Sequence, residues 1–394
     1  MKKFIFYCLF LVTYSTSANF ADSSIANKVY LKNIQYGEIG SPSLFVNEVD
    51  MAIGSRWYDV IYKNKVIADA GLVRLYKKVN DTWIENGILQ SPTPSEIGNF
   101  GIEVSINKNF LLINERQSDR GDDGYYSVLH IYQKQKGIWM PYQKIEDRNL
   151  FKKHSWISDS SFVTAINISE LLIFKLNSSG VWEVKQKIKE AYNNTYGENV
   201  IVNNDKIIVS CPEFNVGWGD KEGKIYVYTK NSTGDYKKTY EISNPDKNNL
   251  FFGRIMVTNG DYLILSCPIT KNNKEDISNK GWVASFILKK DTAYIESNIT
   301  TESGSTIGEY LLSFGNKVYV SKNRYDGQKV FVEYKYEGEV IKPTNRKFEL
   351  RFDDAYSFQI VNYKLYYFDS YYQTFESGQT GRGGCIVEVI PSVK

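Results

Sequence analysis

The sequence has few of the residues on which most catalytic and metal sites depend. Its 394 residues include only two histidines, His130 and His154, and four cysteines. Neither histidine adjoins a nucleophile signature such as G-x-S-x-G, and two histidines without placed partners do not define a metal site. Catalysis therefore has little support beyond analogy with enzymes of similar fold, and neither a cofactor nor a metal is expected.

Long hydrophobic runs and a surplus of one charge are also missing. The apolar run Phe4–Val12 is too short to span a bilayer, and no later segment reaches about 18 apolar residues. Lys2 and Lys3 precede this run and small residues lead up to Ala18, a pattern typical of a cleaved secretory signal. We therefore expect a signal peptide at 1–18, one domain at 19–394, and a secreted or periplasmic protein without a transmembrane segment. Because 48 Lys and Arg face 45 Asp and Glu, nucleic-acid binding is not expected.

Helical periodicity is absent, and strand patterns take its place. No window keeps an i, i+3, i+4 apolar stripe for three turns. The stretch Tyr196–Ile242 instead contains four short apolar runs separated by turn residues, which predicts a four-stranded antiparallel unit. Related stretches recur at a period of about fifty residues, which indicates a closed array of such units.

The most regular mark in the repeats is a glycine followed two positions on by an apolar residue and five positions on by an apolar or aromatic one. Four copies begin at a glycine and three keep the apolar positions without it; the copies begin at Gly71, Ser127, Ser169, Gly223, Gly281, Lys329 and Gly384. An aromatic residue six positions before Leu or Ile follows the first four copies; these residues are Trp83, Trp139, Trp182 and Tyr236. The repeats predict an all-β, seven-bladed β-propeller of four-stranded antiparallel blades.

The two ends of the chain indicate how the ring closes. After Val389 only residues 390–394 remain, too few for a fourth strand of the last blade. Residues Lys28–Ile34 stand ahead of the first complete repeat. We therefore expect this N-terminal strand to complete the last blade by pairing with Gly384–Val389, which removes an open sheet edge.

Two further marks are a dipeptide ending in glycine at the starts of repeats and a G-x-W segment within repeats. Phe100-Gly101, Tyr196-Gly197, Phe252-Gly253 and Ile307-Gly308 open repeats, and a G-x-W segment occurs at Gly137–Trp139 and Gly180–Trp182. Together these marks resemble the FG-GAP repeats of integrin-α-type β-propellers, most closely the subclass with a G-x-W segment in each repeat, and the resemblance covers about residues 28–393. Calcium-binding members of that family carry closely spaced Asp and Asn between the first two strands. Here those turns are too short, so the family's metal sites are not carried over.

The cysteines of the mature chain are interpreted as structural. Cys211 and Cys267 occupy the same place in successive repeats, where adjacent sheets lie about 10 Å apart and beyond disulfide reach. We expect both to be buried free thiols, and Cys385 to be the same.

Binding residues are expected on the face that carries the loops between second and third strands. These loops are long and differ between repeats: Asn114–Tyr126, Glu213–Glu222, Ile269–Lys280, Asn323–Gln328 and Asp369–Gly383. Aromatic rings beside acidic residues suit sugar rings and flat protein interfaces, although each is also an ordinary surface residue in an aromatic-rich chain. The predicted binding residues are Trp218, Asp220, Asp122, Asp123, Tyr125, Tyr126, Tyr371 and Tyr372, of which Trp218 is the strongest because Gly217 and Gly219 leave its indole little cover.

Two function classes follow, with a third left open. The first is non-catalytic binding or adhesion to a protein or cell-surface partner through the loop-rich face. The alternative is a carbohydrate-binding lectin or glycan-processing enzyme with its site at the central opening. Because the loops differ from repeat to repeat, one composite site is expected rather than several identical ones. An exported scaffold without a ligand is the third possibility.

Overall fold

The computed structural model describes residues 23–30, 43–118, 125–166, 169–191, 195–214, 221–245, 249–267, 269–270, 281–289, 293–300, 307–314, 317–323, 329–337, 340–350, 355–361, 364–374 and 380–391. Strands and turns make up these ranges, with no helix among them. The described segments accordingly hold no helix of the length and apolar character needed to cross a membrane. The predicted signal peptide at 1–18 lies outside the described residues.

The described strands form seven four-stranded antiparallel sheets, which we number as blades 1 to 7, and two short ribbons. Numbered along the chain, the strands are β1 Ser23–Tyr30, β2 Ser43–Val46, β3 Asp50–Ser55, β4 Val60–Tyr62, β5 Lys65–Ile67, β6 Leu72–Val79, β7 Thr82–Gln90, β8 Val104–Ile106, β9 Phe110–Ser118, β10 Tyr125–Gln135, β11 Ile138–Asp147, β12 Phe151–Ser158, β13 Ser161–Ile166, β14 Glu170–Leu176, β15 Trp182–Lys189, β16 Val200–Asn203, β17 Lys206–Cys211, β18 Lys224–Lys230, β19 Tyr236–Ser243, β20 Asn249–Leu250, β21 Ile255–Asn259, β22 Tyr262–Cys267, β23 Ile269–Thr270, β24 Trp282–Leu288, β25 Ala293–Thr300, β26 Ile307–Phe314, β27 Lys317–Asn323, β28 Lys329–Glu337, β29 Val340–Leu350, β30 Ala355–Val361, β31 Lys364–Thr374 and β32 Thr380–Pro391. Blade 1 has the order β2-β3-β6-β7, blade 2 β8-β9-β10-β11, blade 3 β12-β13-β14-β15, blade 4 β16-β17-β18-β19, blade 5 β21-β22-β24-β25, blade 6 β26-β27-β28-β29 and blade 7 β30-β31-β32-β1.

Successive blades contact one another in chain order, and blade 7 contacts blade 1 through β30 and β2. The sheets therefore form a closed ring, and the molecule is a β-propeller. Contacts between neighbouring blades involve mainly their first strands, which places these strands toward the centre of the ring. Each copy of the glycine-apolar repeat mark coincides with the third strand of a different blade. The predicted all-β propeller of four-stranded blades is thus confirmed.

The N-terminal strand completes blade 7, as expected, but with different bounds. β1 pairs antiparallel with β32, Ser23 opposite Pro391 and Tyr30 opposite Cys385. The described strand spans Ser23–Tyr30 and so begins five residues before the predicted Lys28, while residues 31–34 lie outside the described residues. The physical reason is that β32 continues past Val389 to Pro391, and antiparallel pairing matches those added residues with residues that precede Lys28.

The repeat glycines explain how neighbouring blades fit together. Gly71 has a φ of +82°, and a Cβ added there would lie 2.3 Å from the carbonyl oxygen of Phe100, at the start of the next repeat. Gly223 stands in the same relation to Phe252, with a corresponding distance of 2.5 Å. The glycine of one repeat and the aromatic residue of the next are therefore two halves of one contact, since only glycine lets the backbones approach so closely.

The hydrophobic core lies between adjacent sheets. One buried cluster joins Val73 and Leu75 of blade 1 to Leu111 and Ile113 of blade 2, and similar clusters fill the following interfaces. On the fourth strand of blade 3, Trp182 is buried while most of β15 is exposed. Its backbone N–H donates to Gln143 Oε1 of blade 2 and its carbonyl accepts from Gln143 Nε2, each at 2.8 Å. The fourth-strand aromatics thus close the outer ends of the blade interfaces.

Candidate functional site

A pocket of about 250 Å³ opens on the loop-rich face, over the inner parts of blades 2, 3 and 4. Its walls come from the loop before β8, the end of β9, the start of β10, the start of β12 and the loop before β16. These segments converge because, in an up-and-down blade, first strands begin and second strands end on the same face. The lining residues are Ile102, Glu103, Asn114, Glu115, Arg116, Ser127, Phe151, Lys152, Lys153, Gly197 and Glu198.

Asn114 ties blade 2 to blade 3 at the pocket wall. Its side-chain amide donates to the carbonyl oxygen of Lys152 at 3.1 Å. Its Oδ1 lies 2.7 Å from Nε2 of His154. Burial lowers the pKa of His154 to about 3, and the positive charge of Lys153 acts in the same direction. The imidazole is therefore neutral at physiological pH, and Nε2 donates its proton to Asn114.

Glu115 and His130 form a buried pair beside this bridge. Glu115 Oε2 lies 2.6 Å from His130 Nε2, and the Glu115 side chain is fully buried. Its second oxygen, Oε1, is also buried and has no hydrogen-bond partner in the described part of the chain. A buried oxygen without a partner destabilises a protein by about 1–3 kcal/mol, more if charged. His130 packs against Phe100, which belongs to the buried cluster between blades 1 and 2, so the pair lies on the blade 1 side of the sheet and Glu115 lines the pocket without exposing this oxygen.

Two lysines of β12 complete the pocket. Lys152 Nζ donates to the carbonyl oxygen of Tyr196 at 2.7 Å. Burial lowers the pKa of Lys152, while the nearby carboxylate of Glu198 offsets part of that effect. Lys153 is half exposed and pairs with Glu103 at 2.6 Å, and this carboxylate raises the lysine pKa. The pocket therefore presents hydrogen-bond donors and acceptors with nearly balanced charge.

The sequence-predicted site residues fall in two groups. Trp218, Asp220, Asp122 and Asp123 lie outside the described residues. The other four lie in strands, which corrects their assignment to loops: Tyr125 and Tyr126 in β10, and Tyr371 and Tyr372 in β31. The strands are longer than expected because ladder pairing continues through these polar stretches, with Tyr126 opposite Gln117 and Tyr372 opposite Arg382. Tyr126 is fixed further by a hydrogen bond from its hydroxyl to Gln117 Oε1.

The pocket residues themselves were missed by the sequence prediction, although a signal for them exists. The N–H of Gly101 donates to the carbonyl of Asn114, just as that of Gly197 donates to Ser210. By this correspondence Glu115 occupies the place of Cys211, a buried residue of blade 4. Blade 2 therefore has a carboxylate where blade 4 has a small core residue. This difference between the repeats is the sequence signal that distinguishes blade 2.

The cysteine prediction is confirmed where it can be examined. Cys211 and Cys267 are both buried and both free thiols. Burial raises the pKa of Cys211 to about 11. Across the described residues, no three His, Cys, Asp or Glu side chains are grouped as metal ligands would be.

A second feature of the loop-rich face is a ribbon formed by β4 and β5 within blade 1. Ile61 at 71% exposure and Val66 at 66% exposure are its most open apolar side chains. Lys63 and Lys65 flank them. An apolar tip with adjacent cations is a surface suited to contact with another macromolecule.

Comparisons with known proteins identify no family for this chain. No family model matches it, and no curated protein matches it. Among solved structures, the periplasmic gluconolactonase PpgL of Pseudomonas aeruginosa is similar, with 13% identity and a TM-score of 0.49 over 82% of this chain and 93% of that chain. Identity and TM-score this low carry no inference about activity. The FG-GAP resemblance stays a prediction.

Proposed function

We propose that the protein binds a small polyhydroxylated ligand of the carbohydrate class in the pocket between blades 2, 3 and 4. The observation that carries this proposal is the lining of the pocket, which brings the carboxylates of Glu103, Glu115 and Glu198 together with Lys152, Lys153 and Arg116 around one cavity. A ligand hydroxyl is a neutral donor of the right kind for a carboxylate oxygen. Hydroxyls also accept hydrogen bonds, which suits the ammonium groups of Lys152 and Lys153 on the opposite wall.

The pocket's size and lining limit the class of ligand. At about 250 Å³ it lies at the small end of ligand sites, so it suits one sugar residue rather than a long oligosaccharide. Among the described residues that line it, Phe151 is the only aromatic one. Specificity would therefore come from hydrogen bonds, with each hydroxyl satisfying a polar group that is otherwise poorly paired.

The test is a binding survey of the protein by isothermal titration with neutral monosaccharides and short oligosaccharides. We expect saturable binding of at least one monosaccharide. The Glu198→Gln variant should weaken binding by about tenfold or more, because Glu198 is an exposed carboxylate of the lining and an amide supplies one neutral acceptor in its place. Glu146→Gln is the matched control, since Glu146 is an exposed carboxylate on the outer strand of blade 2, outside the pocket lining. Sugar binding that is equally strong in both variants would rule out this pocket, and no binding at millimolar concentration would contradict the proposal itself.

The β4–β5 ribbon favours a second candidate function, binding of a protein or cell-surface partner. The exposure of Ile61 and Val66 supports it. A double variant, Ile61→Asp with Val66→Asp, should abolish binding to partner cells, whereas Ile138→Asp should leave it intact. Ile138 is a suitable control because it is 60% exposed on the outer edge of blade 2. Equal cell binding by all three proteins would exclude the ribbon.

Export of the protein, as residues 1–18 predict, would place either activity in the periplasm or outside the cell. Comparing the N-terminus of the secreted protein with Asn19 would test this, and retention of residue 1 in the exported protein would contradict it.

A further inference from the structure

The charges lining the pocket are unevenly satisfied. Glu103 is paired with Lys153, and Glu115 with His130, each at 2.6 Å. Lys152 donates to a backbone carbonyl and lies in the field of Glu198. The lining carboxylates are thus each associated with a group other than Arg116.

Arg116 is the lining cation without such an association. It follows Glu115 in β9 and is partly buried. Its guanidinium makes no hydrogen bond or salt bridge with any residue in the described ranges, while its backbone N–H donates to the carbonyl of Gly98 at 2.7 Å. A guanidinium carries five donors in a planar fork that matches a carboxylate with two parallel hydrogen bonds. The pocket therefore holds a complete but unused carboxylate-binding group.

A second guanidinium reinforces this position. Arg56, in the segment after β3 on the same face, stacks on Trp57 with its Cζ 4.5 Å from the ring centre. Its Nε is buried and has no hydrogen-bond partner among the described residues. Burial lowers the pKa of Arg56, and the charge of Arg116 lowers it further. Two like charges near each other are destabilising unless an anion lies close to both.

We propose that the pocket's ligand carries a carboxylate that Arg116 binds, so that the ligand is a small hydroxylated carboxylic acid of the uronic acid class. This inference rests on the proposed function and narrows it. The hydroxyl groups of the ligand bond to Glu198 and Lys152, and its carboxylate takes the guanidinium fork of Arg116. A multiply charged anion such as phosphate fits less well, because Glu103, Glu115 and Glu198 also line the pocket and would repel it.

Sugars that differ only at one carbon test the proposal. Galactose, galacturonate and methyl galacturonate share a ring and hydroxyl pattern, and the glucose series repeats the comparison. With the wild-type protein we expect galacturonate or glucuronate to bind about tenfold more tightly than its neutral parent and its methyl ester, the size of effect typical of a charge-assisted pair. The preference should shrink as salt is raised, because the charges are only partly buried. The affinity for digalacturonate, measured in the same way, distinguishes a free sugar acid from the acidic end of a polymer as the ligand.

Variants assign the preference to one residue. Arg116→Gln should remove the discrimination while neutral sugar still binds, and Arg116→Lys should retain part of it because the charge remains without the fork. Arg148→Gln is the matched control, since Arg148 is exposed on the segment after β11. Thermal unfolding confirms that each variant is folded.

The outcomes separate this inference from the proposed function. Neutral and acidic sugars bound equally by wild type, or discrimination that survives in Arg116→Gln, would overturn the role of Arg116 and leave carbohydrate binding intact. Inorganic sulfate or phosphate that competes as well as the uronate would also overturn it, by making the site a general anion site. If neither neutral nor acidic sugars bind, the proposed function itself fails.

Discussion

Acidification should weaken the contact between blades 2 and 3 because His154 is buried in its neutral form. The side chain is 8% exposed, and its Nε2 donates to Asn114 across the blade interface. Burial, with a smaller effect from Lys153, lowers its pKa from 6.5 to about 3. Its Nδ1 is buried and has no partner among the described residues, so a proton added there would also meet no acceptor.

The sign of the effect follows from the two protonation states. Between about pH 6.5 and pH 3 the unfolded chain binds a proton at His154 that the folded chain does not. The stabilisation is therefore fully present above pH 6.5 and is lost progressively as the pH falls toward 3. Since pH 5 lies about 1.5 units below the histidine pKa of the unfolded chain, protonation of His154 in that chain lowers the free energy of unfolding by about 2 kcal/mol.

Urea unfolding of wild type and His154→Gln at pH 7 and pH 5 measures this loss. Glutamine keeps a donor for Asn114 but does not titrate, so the wild type should lose about 2 kcal/mol more than the variant between the two pH values. The two proteins differ only at residue 154, so effects of pH on the other residues cancel in the difference. The same pH dependence in both proteins would refute the reasoning.

Three further predictions concern the fold. A Cβ at Gly71 would lie 2.3 Å from the Phe100 carbonyl oxygen at a φ of +82°, so Gly71→Ala should lower the free energy of unfolding by about 3 kcal/mol or more. Gly260 has a φ of +59° with open space around it, so Gly260→Ala should lower the free energy of unfolding by about 1 kcal/mol. Equal losses in urea unfolding would contradict the close contact between the Gly71 and Phe100 backbones. Deleting residues 23–30 uncovers β32 and should give oligomers or aggregates on size exclusion, and a stable monomer would show that β1 is dispensable. Because burial raises the pKa of Cys211 to about 11, a thiol reagent should label it only after unfolding; labelling of the native protein at the rate of a free thiol would count against burial.

Much of the architecture could be predicted because the propeller repeats its local chemistry. The repeat mark that begins at Gly223, for instance, reflects the close approach of its backbone to Phe252 of the next repeat. The same kind of contact occurs between Gly71 and Phe100. The turn at Asn204 supplies a left-handed backbone, φ 54°, between β16 and β17, as Asn does in tight hairpins. Patterns that recur in several blades support one another, so the fold can be predicted from one sequence.

The candidate site was not predicted because it depends on departures from the repeat. The long loops of the sequence offer aromatic and acidic residues as binding candidates, among them Tyr126. The structure places Tyr126 in a strand, where its hydroxyl is already bonded to Gln117. The pocket instead uses strand ends, where Arg116 and Lys152 belong to different blades and come together only when those blades pack. Distances between blades cannot be read from spacing along the chain, which is why the sequence did not predict this pocket.

The polar pair of blade 2 stands where blade 4 has an apolar pair, which makes its contribution to stability testable. Cys211 and Tyr226 lie in one buried apolar cluster between blades 3 and 4. The strand registers place His130 opposite Ile113 and Tyr226 opposite Val209, so Glu115 and His130 hold the corresponding places in blade 2. A buried ion pair is often no more stabilising than apolar residues of similar volume, so stability alone does not explain a carboxylate here.

This comparison predicts the effect of exchanging the pair. The double variant Glu115→Cys with His130→Tyr installs the blade 4 pair in blade 2, which should leave the free energy of unfolding unchanged or higher. The same variant should keep sugar binding, because the pair packs toward blade 1 and the accessible groups of the pocket, Arg116, Lys152 and Glu198, are unchanged. Urea unfolding and isothermal titration on one preparation measure both properties. A variant less stable by several kcal/mol would show that the pair is a structural element of the ring, and a stable variant that loses sugar binding would show that Glu115 contacts the ligand.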